Sequence, residues 1–292
     1  MGMLDLPWLK KVRLIKGFVF KSVFGERPDL CRQLLEVVLG IEIAEVEVVQ
    51  RERELDVLDK RRGGSIDLYV VDGCGNRYDV EVQTRFHKDE WFRARLYQAL
   101  MDANLLKRGT DVAELRESMV VFICDFDPLG HEFARYDCAT VCLQTGEVVP
   151  DRRGSVYLNV HGDLEELTPE LRNLLLLFAG KAVDNDDFVG KIVDEMKKCV
   201  EDPEWMERFM TLEDEMEAEK KWARAEGLEE GRKQGLAEGR KLMAEQNARL
   251  VDALERAGRL SELADAMRDR DRYDALLEEF GITGNRSAGK TS

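Results

Sequence analysis

The sequence SIDLYVVDGCGNRYDVEVQ, residues 65–83, predicts a tight β-hairpin that carries carboxylates where its two strands meet. Apolar and polar residues alternate in both halves, and the turn residues DGCGN lie between them at 72–76. If the turn centres on Cys74, residues whose numbers add up to 148 lie opposite each other, so Asp67 faces Glu81. Opposed Cβ atoms are about 4.5–5.5 Å apart, and like charges placed there destabilise a sheet.

Two interpretations of this acid pair follow from the hairpin alone. The acids either lie on a solvated edge, where salt screens their repulsion, or they hold a hard cation such as Mg²⁺, which binds one or two carboxylates. Gln83 lies two residues beyond Glu81 and therefore points to the same face. The other face carries Leu68, Val70, Val80 and Val82, so one face is expected to pack and the other to present acid and amide.

Helices and strands around the hairpin give an α-β-β-β-α-β order. Residues 18–39 predict a helix in two pieces, broken near Pro28 and ended by Gly40. Asp89–Leu106 predicts an amphipathic helix with Phe92, Leu96, Leu100 and Ala103 on its buried face. Strands are predicted at Ile43–Gln50, Leu55–Leu58, Ile66–Val71, Tyr78–Thr84 and Met119–Cys124, with shorter ones at Thr140–Leu143 and Val156–Val160.

The second half of the chain is predicted to be mainly helical. Thr168 and Pro169 form a capped helix start before an apolar run, and residues 203–246 are highly charged and helix-forming. Within them the repeat EGLEEGRKQGLAEGRK places a glycine at every fourth position. We therefore divide the chain into an α/β domain at 1–165, a helical region at 166–246, a small helical segment at 247–282 and a disordered tail at 283–292.

Composition limits the classes of function. The net charge is −15, but the first hundred residues carry 17 Lys/Arg and 17 Asp/Glu, so the acidic excess belongs entirely to the rest of the chain. Binding of DNA by the first part is therefore not excluded. Six cysteines without a CxxC pair and three histidines make structural zinc improbable and indicate reduced thiols. No apolar stretch suits a membrane span, and a cytoplasmic protein is expected.

These motifs resemble a known nuclease family. An Asp on one strand, Glu-x-Gln on the next and a following helix with arginines are similar to the D…ExK layout of PD-(D/E)XK nucleases, with Gln83 at the lysine position. The resemblance is closer to the Rpn-type recombination-promoting nuclease and transposase family. It is carried by FKSVFG at 20–25, the run from Asp59 to Gln83, RARLYQAL at 93–100 and the glycine repeat, closely over about residues 17–125.

The resemblance implies an α/β restriction-endonuclease-like core with a mixed sheet, a helical C-terminal region and Mg²⁺- or Mn²⁺-dependent hydrolysis of DNA. By position, Asp67, Glu81 and the backbone carbonyl of Val82 would bind the metal, and Gln83 would orient the attacking water. Gly17 stands where many relatives carry an aspartate. The candidate substrate contacts are Lys21, Lys60, Arg95 and Tyr97. Lys21, Lys60 or Arg95 would supply the positive charge that Gln83 lacks, and Glu36 is a candidate acid from the first helix pair.

Two functions of different classes remain open at this point. One is a metal-dependent DNA endonuclease that acts in recombination or mobile-element processing. The other is a catalytically weak or inactive nuclease-fold protein that binds DNA or assembles into a homo-oligomer through its acidic helical tail. Tyr97 and Trp91 suit base stacking, although their helical spacing favours core positions. Other enzyme classes lack support, because the sequence contains no GxSxG, P-loop or HExxH motif.

Overall fold

The computed structural model describes residues 3–4, 7–54, 65–86, 90–103, 111–184 and 186–282, and the chain forms two compact units, Met1–Phe209 and Met210–Ser292. In chain order the strands and α-helices are β1 (Met3–Leu4), α1 (Gly17–Phe24), α2 (Pro28–Leu39), β2 (Val46–Glu54), β3 (Ser65–Asp72), β4 (Arg77–Gln83), α3 (Glu90–Ala103), β5 (Ser118–Cys124), β6 (Arg135–Cys138), β7 (Arg153–Asn159), α4 (Pro169–Phe178), β8 (Val183–Asp184), α5 (Asp187–Glu201), α6 (Pro203–Arg256), α7 (Leu263–Ala266) and α8 (Arg270–Glu279). Short 3₁₀ turns lie at Pro7–Lys10, Val112–Glu114 and Leu260–Glu262.

A mixed six-stranded sheet forms the centre of the first unit. The strand order is β2-β3-β4-β5-β7-β6, with β1 and β8 paired separately. Strands β2, β3 and β4 form an antiparallel meander, β4, β5 and β7 run parallel, and β6 adds an antiparallel edge. Helix α1 packs on β3 and β4, whereas α3 packs on β5. This arrangement confirms the predicted α/β nuclease-like core followed by a helical region.

The hairpin has the register that its sequence predicts. The paired residues Leu68–Val80, Tyr69–Asp79, Val70–Tyr78 and Val71–Arg77 all add up to 148. Asp72 fixes the turn, because its carboxylate accepts hydrogen bonds from the amides of Cys74 and Asn76 and from the Tyr78 hydroxyl. Gly75 has a φ of 80°, a left-handed conformation that glycine adopts without strain.

The helix pair α1–α2 also follows the prediction. Helix α1 ends at Phe24, Pro28 is the first residue of α2, and Gly40 ends α2 in a left-handed conformation with a φ of 68°. The two helices bury Val19, Phe20, Leu34 and Val38, among others. Their core is therefore built from residues at helical spacing, as the sequence indicates.

The buried face predicted for α3 is wrong. Leu100 is buried, but Phe92 is 61% exposed and Leu96 and Ala103 are exposed as well. The face that packs on the sheet is instead Ala94, Tyr97, Leu100 and Met101. Apolar residues lie on two overlapping sides of this helix, so the spacing alone does not decide which side the sheet covers.

Beyond residue 125 the strand predictions are partly wrong. Thr140–Leu143 does not form a strand, since it contributes only an isolated bridge between Val141 and Val148, and the edge strand is β6 at Arg135–Cys138. The capped start of α4 is confirmed, because the Thr168 side chain accepts a hydrogen bond from the Leu171 amide. The predicted strand at Leu55–Leu58 lies outside the described residues.

The second unit is helical. Residues Leu250, Leu254, Ala266, Leu276 and Ile282 form its buried cluster. The glycines of the repeat lie inside α6, and apart from the adjacent backbone of α6 no atom of the described residues lies within 4 Å of a Cβ built on Gly227, Gly231, Gly235 or Gly239. Throughout the described parts of both units, no helix combines the length and apolar character that a membrane span requires.

Candidate nuclease active site

Asp67 and Glu81 interlock across the hairpin. The Asp67 amide donates a hydrogen bond of 2.9 Å to Oε1 of Glu81, and the Val82 amide donates one of 3.2 Å to Oδ2 of Asp67. Each carboxylate is thus bound to the backbone of the opposite strand, just beyond the last paired residues, Leu68 and Val80. In a strand the N–H and C=O of one residue point to the same side, so the Val82 carbonyl also faces Asp67.

Glu81 is buried, which is unusual for a carboxylate. The residue is 1% exposed, although we expected the face that carries it to present acid to solvent; α3 covers that face. Burial and the negative charge of Asp67 raise the pKa of Glu81 to about 8, while the Asp67 amide, Arg93 and Lys21 act in the opposite direction. In the metal-free protein Glu81 therefore retains its proton near neutral pH.

Two cationic side chains reach the acid pair from helices on opposite faces of the sheet. Lys21 of α1 places Nζ 3.0 Å from Oδ1 of Asp67. Arg93 of α3 places Nη2 3.2 Å from Oε2 of Glu81, and the same nitrogen donates a 2.9 Å hydrogen bond to the Tyr97 hydroxyl. Each acid consequently has its own basic neighbour.

Gln83 also contacts Glu81. Its Nε2 donates a hydrogen bond of 3.3 Å to Oε2 of Glu81, and its side chain is largely buried. The amide nitrogen is therefore engaged with the acid, so Oε1 is the atom of Gln83 that is oriented to accept a hydrogen bond from another group. The backbone carbonyl of Gln83 accepts a hydrogen bond from the Asp125 amide.

Asp79 is a third carboxylate beside the acid pair, which we did not identify from the sequence. It is fully buried, and neither oxygen has a hydrogen bond of ordinary geometry within the described part of the chain. Burial, followed by the charges of Glu81 and Asp67, raises its pKa well above the ordinary value. The available signal was the two-residue spacing to Glu81, which places both side chains on one face of β4.

The other candidate residues occupy different places. Tyr97 is 3% exposed, so its ring has no free face for a base, and it supports Arg93 instead. Arg95 is exposed, with its guanidinium 5.7 Å from the centre of the Phe92 ring. Glu36 accepts a hydrogen bond from the Ile43 amide at the end of α2. Lys60 lies outside the described residues.

Gly17 begins α1 beside this site. A Cβ built on Gly17 would lie 4.0 Å from Cγ2 of Val82. An aspartate at this position would approach the Val82 side of the site. In this chain, α1 instead contributes Lys21, one turn further along.

A second ionic cluster lies beside Gln83 at the same end of the parallel strands, and the sequence analysis missed it. Arg13 donates two hydrogen bonds to Asp125, of 2.6 and 2.8 Å, and Nε2 of His161 lies 2.8 Å from the same carboxylate. Burial raises the pKa of Asp125, but the hydrogen bonds from Arg13 and His161 outweigh it and leave the pKa lowered. The sequence separation of 112 residues between Arg13 and Asp125 gave no local signal.

The acid pair fits a divalent cation of the Mg²⁺ type. In the described ranges, no group of three or more His, Cys, Asp or Glu side chains is arranged to hold a metal. The smaller set at the hairpin consists of two carboxylates and the Val82 carbonyl, all of them oxygen ligands. Mg²⁺ is commonly held by one or two carboxylates and completes its shell with water and substrate phosphate. A bound cation would also favour the ionised form of Glu81, which burial and the charge of Asp67 oppose.

Comparison with known proteins assigns this chain to a family. A family model described as PD-(D/E)XK nuclease family transposase matches residues 14–226. No curated protein and no solved structure matches the chain. The matched range contains α1, the whole six-stranded sheet and the acid pair of the hairpin. The chain therefore belongs to the PD-(D/E)XK nuclease family transposases.

Proposed function

We propose that this protein is a metal-dependent DNA endonuclease that hydrolyses phosphodiester bonds in recombination or mobile-element processing. The observation that carries the proposal is the interlocked pair Asp67 and Glu81, which lies with the Val82 carbonyl at the end of the hairpin. Isolated buried acids destabilise a protein, so a site that brings such groups together is a candidate for function. Family membership supports the same reaction class.

Asp67, Glu81 and the Val82 carbonyl would hold Mg²⁺ or Mn²⁺. A bound ion of this kind polarises the scissile phosphate and lowers the pKa of a coordinated water. Because burial and the charge of Asp67 raise the pKa of Glu81 to about 8, binding of the cation would release a proton from this carboxyl near neutral pH. Arg93 holds the Glu81 carboxylate in place and is therefore a positioning residue.

In the PD-(D/E)XK motif a lysine occupies the position of Gln83, and in this chain Gln83 and Lys21 would together take the role of that lysine. The Gln83 amide nitrogen contacts Glu81, so its Oε1 is left to accept a hydrogen bond from the attacking water and to orient it. Lys21 supplies the positive charge that an amide cannot, since its Nζ lies 3.0 Å from Asp67. A fixed cation at this position would stabilise charge that develops on the phosphate.

A plasmid assay tests the proposal. Purified protein should nick or linearise DNA with Mg²⁺ or Mn²⁺, lose the activity in EDTA and cut more slowly as the salt concentration rises, because phosphate contacts release counterions. Asp67→Asn and Glu81→Gln should abolish cleavage. Asp194→Asn is the matched control, because Asp194 is an exposed carboxylate on α5 that forms an ion pair with Lys197 on the same helix.

The outcomes separate the two functional classes. Cleavage that continues in EDTA, or in both acid variants, would remove the acid pair from catalysis. A protein that binds DNA and gains thermal stability with Mg²⁺, yet never cuts, would be the nuclease-fold binding protein that lacks activity. The neutral Gln83 is the observation that keeps this second class in view.

A further inference from the structure

A groove with an aromatic wall lies between α3 and the β6–β7 edge of the sheet. Its volume is about 250 Å³. It is lined from α3 on one side and, on the other, from β7 and the loop that follows β6. The residues that matter here are Trp91, Arg95, Gln98, Thr140, Arg153 and Tyr157.

Trp91 supplies the exposed aromatic surface of this groove. Its side chain is large and apolar, yet the residue is 39% exposed. The ring centre lies 4.7 Å from that of Tyr157, which stacks on Phe122 at 5.0 Å with an interplanar angle of 6°. The indole is inclined by 55° to the Tyr157 ring, and because Tyr157 and Phe122 are buried, this stacked pair supports Trp91 from the core. Such a ring can stack on a planar ligand without much loss of side-chain freedom.

The rim of the groove is basic and polar. Arg153 donates hydrogen bonds to Asp151 and to the Thr140 hydroxyl, of 2.7 and 3.1 Å, which fix the position of its guanidinium. Arg95 adds a second guanidinium from α3. Two arginines beside an aromatic ring, in a chain with a net charge of −15, suit an anionic ligand that has a planar group.

The sheet register connects the groove to the acid pair. Glu81 is the partner of Phe122 on β5, and Phe122 is the partner of Tyr157 on β7. The floor of the groove is therefore two strands from Glu81, or about 10 Å at the usual strand spacing. Along one DNA strand this distance corresponds to about three nucleotides of helical rise.

We propose that the groove binds an unpaired nucleotide of the DNA substrate, with its base on Trp91 and its phosphate near Arg95 and Arg153. This inference rests on the proposed nuclease function for the identity of the ligand. A base inside a duplex is stacked on its neighbours and has no face to offer, so the groove selects DNA that is locally single-stranded, gapped or opened. Stacking tolerates any base, and the contact therefore adds structure preference rather than sequence specificity.

Binding of labelled oligonucleotides tests the groove without catalysis. Fluorescence anisotropy in EDTA would measure the affinity of the full-length protein for a single-stranded oligothymidylate, for a blunt duplex and for an oligouridylate RNA of similar length. Stacking contributes about 1–3 kcal/mol per base, so Trp91→Ala should weaken binding of the single-stranded DNA by about 5- to 150-fold. Binding of the duplex should change less than about twofold.

Matched variants separate stacking from folding and from charge. Trp91→Phe should retain most of the affinity, and Arg95→Ala should weaken binding of the single-stranded DNA and reduce its dependence on salt. Trp222→Ala is the control, since Trp222 is a 66% exposed tryptophan on the part of α6 in the second unit. Equal losses for single-stranded and duplex DNA, unchanged binding by Trp91→Ala, or a loss confined to the RNA would each overturn the assignment.

The same measurement distinguishes failure of the groove from failure of the nuclease proposal. Asp194→Asn should bind single-stranded DNA like the wild type, because Asp194 is an exposed residue of α5 and belongs neither to the groove nor to the acid pair. Loss of binding in Trp91→Ala together with a wild type that never cuts would keep the groove and reject the nuclease. Metal-dependent cutting by the wild type together with unchanged binding by Trp91→Ala would keep the nuclease proposal and reject the groove.

Discussion

We expect the variant Glu81→Gln to be less stable than the wild type at acidic pH and more stable than the wild type at alkaline pH. The pKa of Glu81 is raised from its ordinary value of 4.5 to about 8 in the folded, metal-free protein. Between these values the folded state binds a proton that the unfolded state has released, so wild-type stability falls as pH rises from about 5 to 8. One pH unit corresponds to about 1.4 kcal/mol, which gives a loss of at most about 5 kcal/mol.

The glutamine variant removes this titration and has a cost of its own. Its side-chain oxygen still accepts the hydrogen bond from the Asp67 amide. Its NH₂ group, however, replaces Oε2 of Glu81, which accepts hydrogen bonds from Arg93 Nη2 and Gln83 Nε2 in the wild type. These two donors would then face a third donor. Unmet donors of this kind cost about 1–3 kcal/mol. The variant should therefore be less stable than the wild type at pH 5 and more stable by a few kcal/mol at pH 9.

Urea unfolding in EDTA, followed by circular dichroism at constant ionic strength from pH 5 to 9, measures the effect. The useful quantity is the difference in unfolding free energy between variant and wild type, because titrating groups distant from the acid pair cancel in it and only Glu81 and the neighbouring Asp79 contribute. Asp194→Asn should give a difference that stays flat with pH. A flat difference for Glu81→Gln as well would refute the raised pKa and the burial argument behind it.

Three further predictions concern residues around and beyond the acid pair. Gln83→Ala should slow plasmid cleavage by about 10²-fold and leave the Mg²⁺-induced rise in melting temperature intact, because Gln83 is assigned to the water; loss of the thermal shift would make it a metal-site residue. Asp125→Asn should lower the free energy of unfolding by about 1–3 kcal/mol at pH 7. This loss should become smaller as the pH falls below about 4, because a carboxyl group with a lowered pKa stabilises the folded protein only while it is ionised. Measured urea curves that stay equally separated down to pH 2.5 would contradict the Asp125 prediction. Glycines at every fourth position of α6 form a smooth stripe along the helix, which would permit the close approach of a second helix. The double variant Gly231→Leu with Gly235→Leu should therefore keep α6 helical by circular dichroism and lower the oligomeric mass measured by light scattering. An unchanged mass would exclude the stripe from assembly.

The sequence determined the elements whose causes are local. Alternation of apolar residues and the DGCGN turn fixed the hairpin register, and the register placed Asp67 opposite Glu81. Pro28 and Gly40 likewise fixed the bounds of α2, because proline and left-handed glycine act on the backbone at their own positions. These features depend on neighbours a few residues away, which the sequence displays directly.

The tertiary structure decided which faces are covered. Helix α3 carries apolar residues on two sides, and only its docking on the sheet selects Tyr97 and Met101 for the core and leaves Phe92 exposed. The same docking buries Glu81, which the alternation pattern alone assigns to an open face. Burial depends on what packs against an element, and the periodicity of that element does not contain this information.

The electrostatics of the candidate site were also decided by long-range packing. Lys21 is 46 residues from Asp67 in the chain, and its charge reaches the acid pair because α1 lies on β3 and β4. Asp79 is unremarkable in the sequence, and only the folded sheet makes it a fully buried carboxyl with no hydrogen bond of ordinary geometry to the described residues. The sequence thus determined which groups oppose each other across the hairpin, while the tertiary structure determined their solvation and their charged neighbours, on which their pKa values depend.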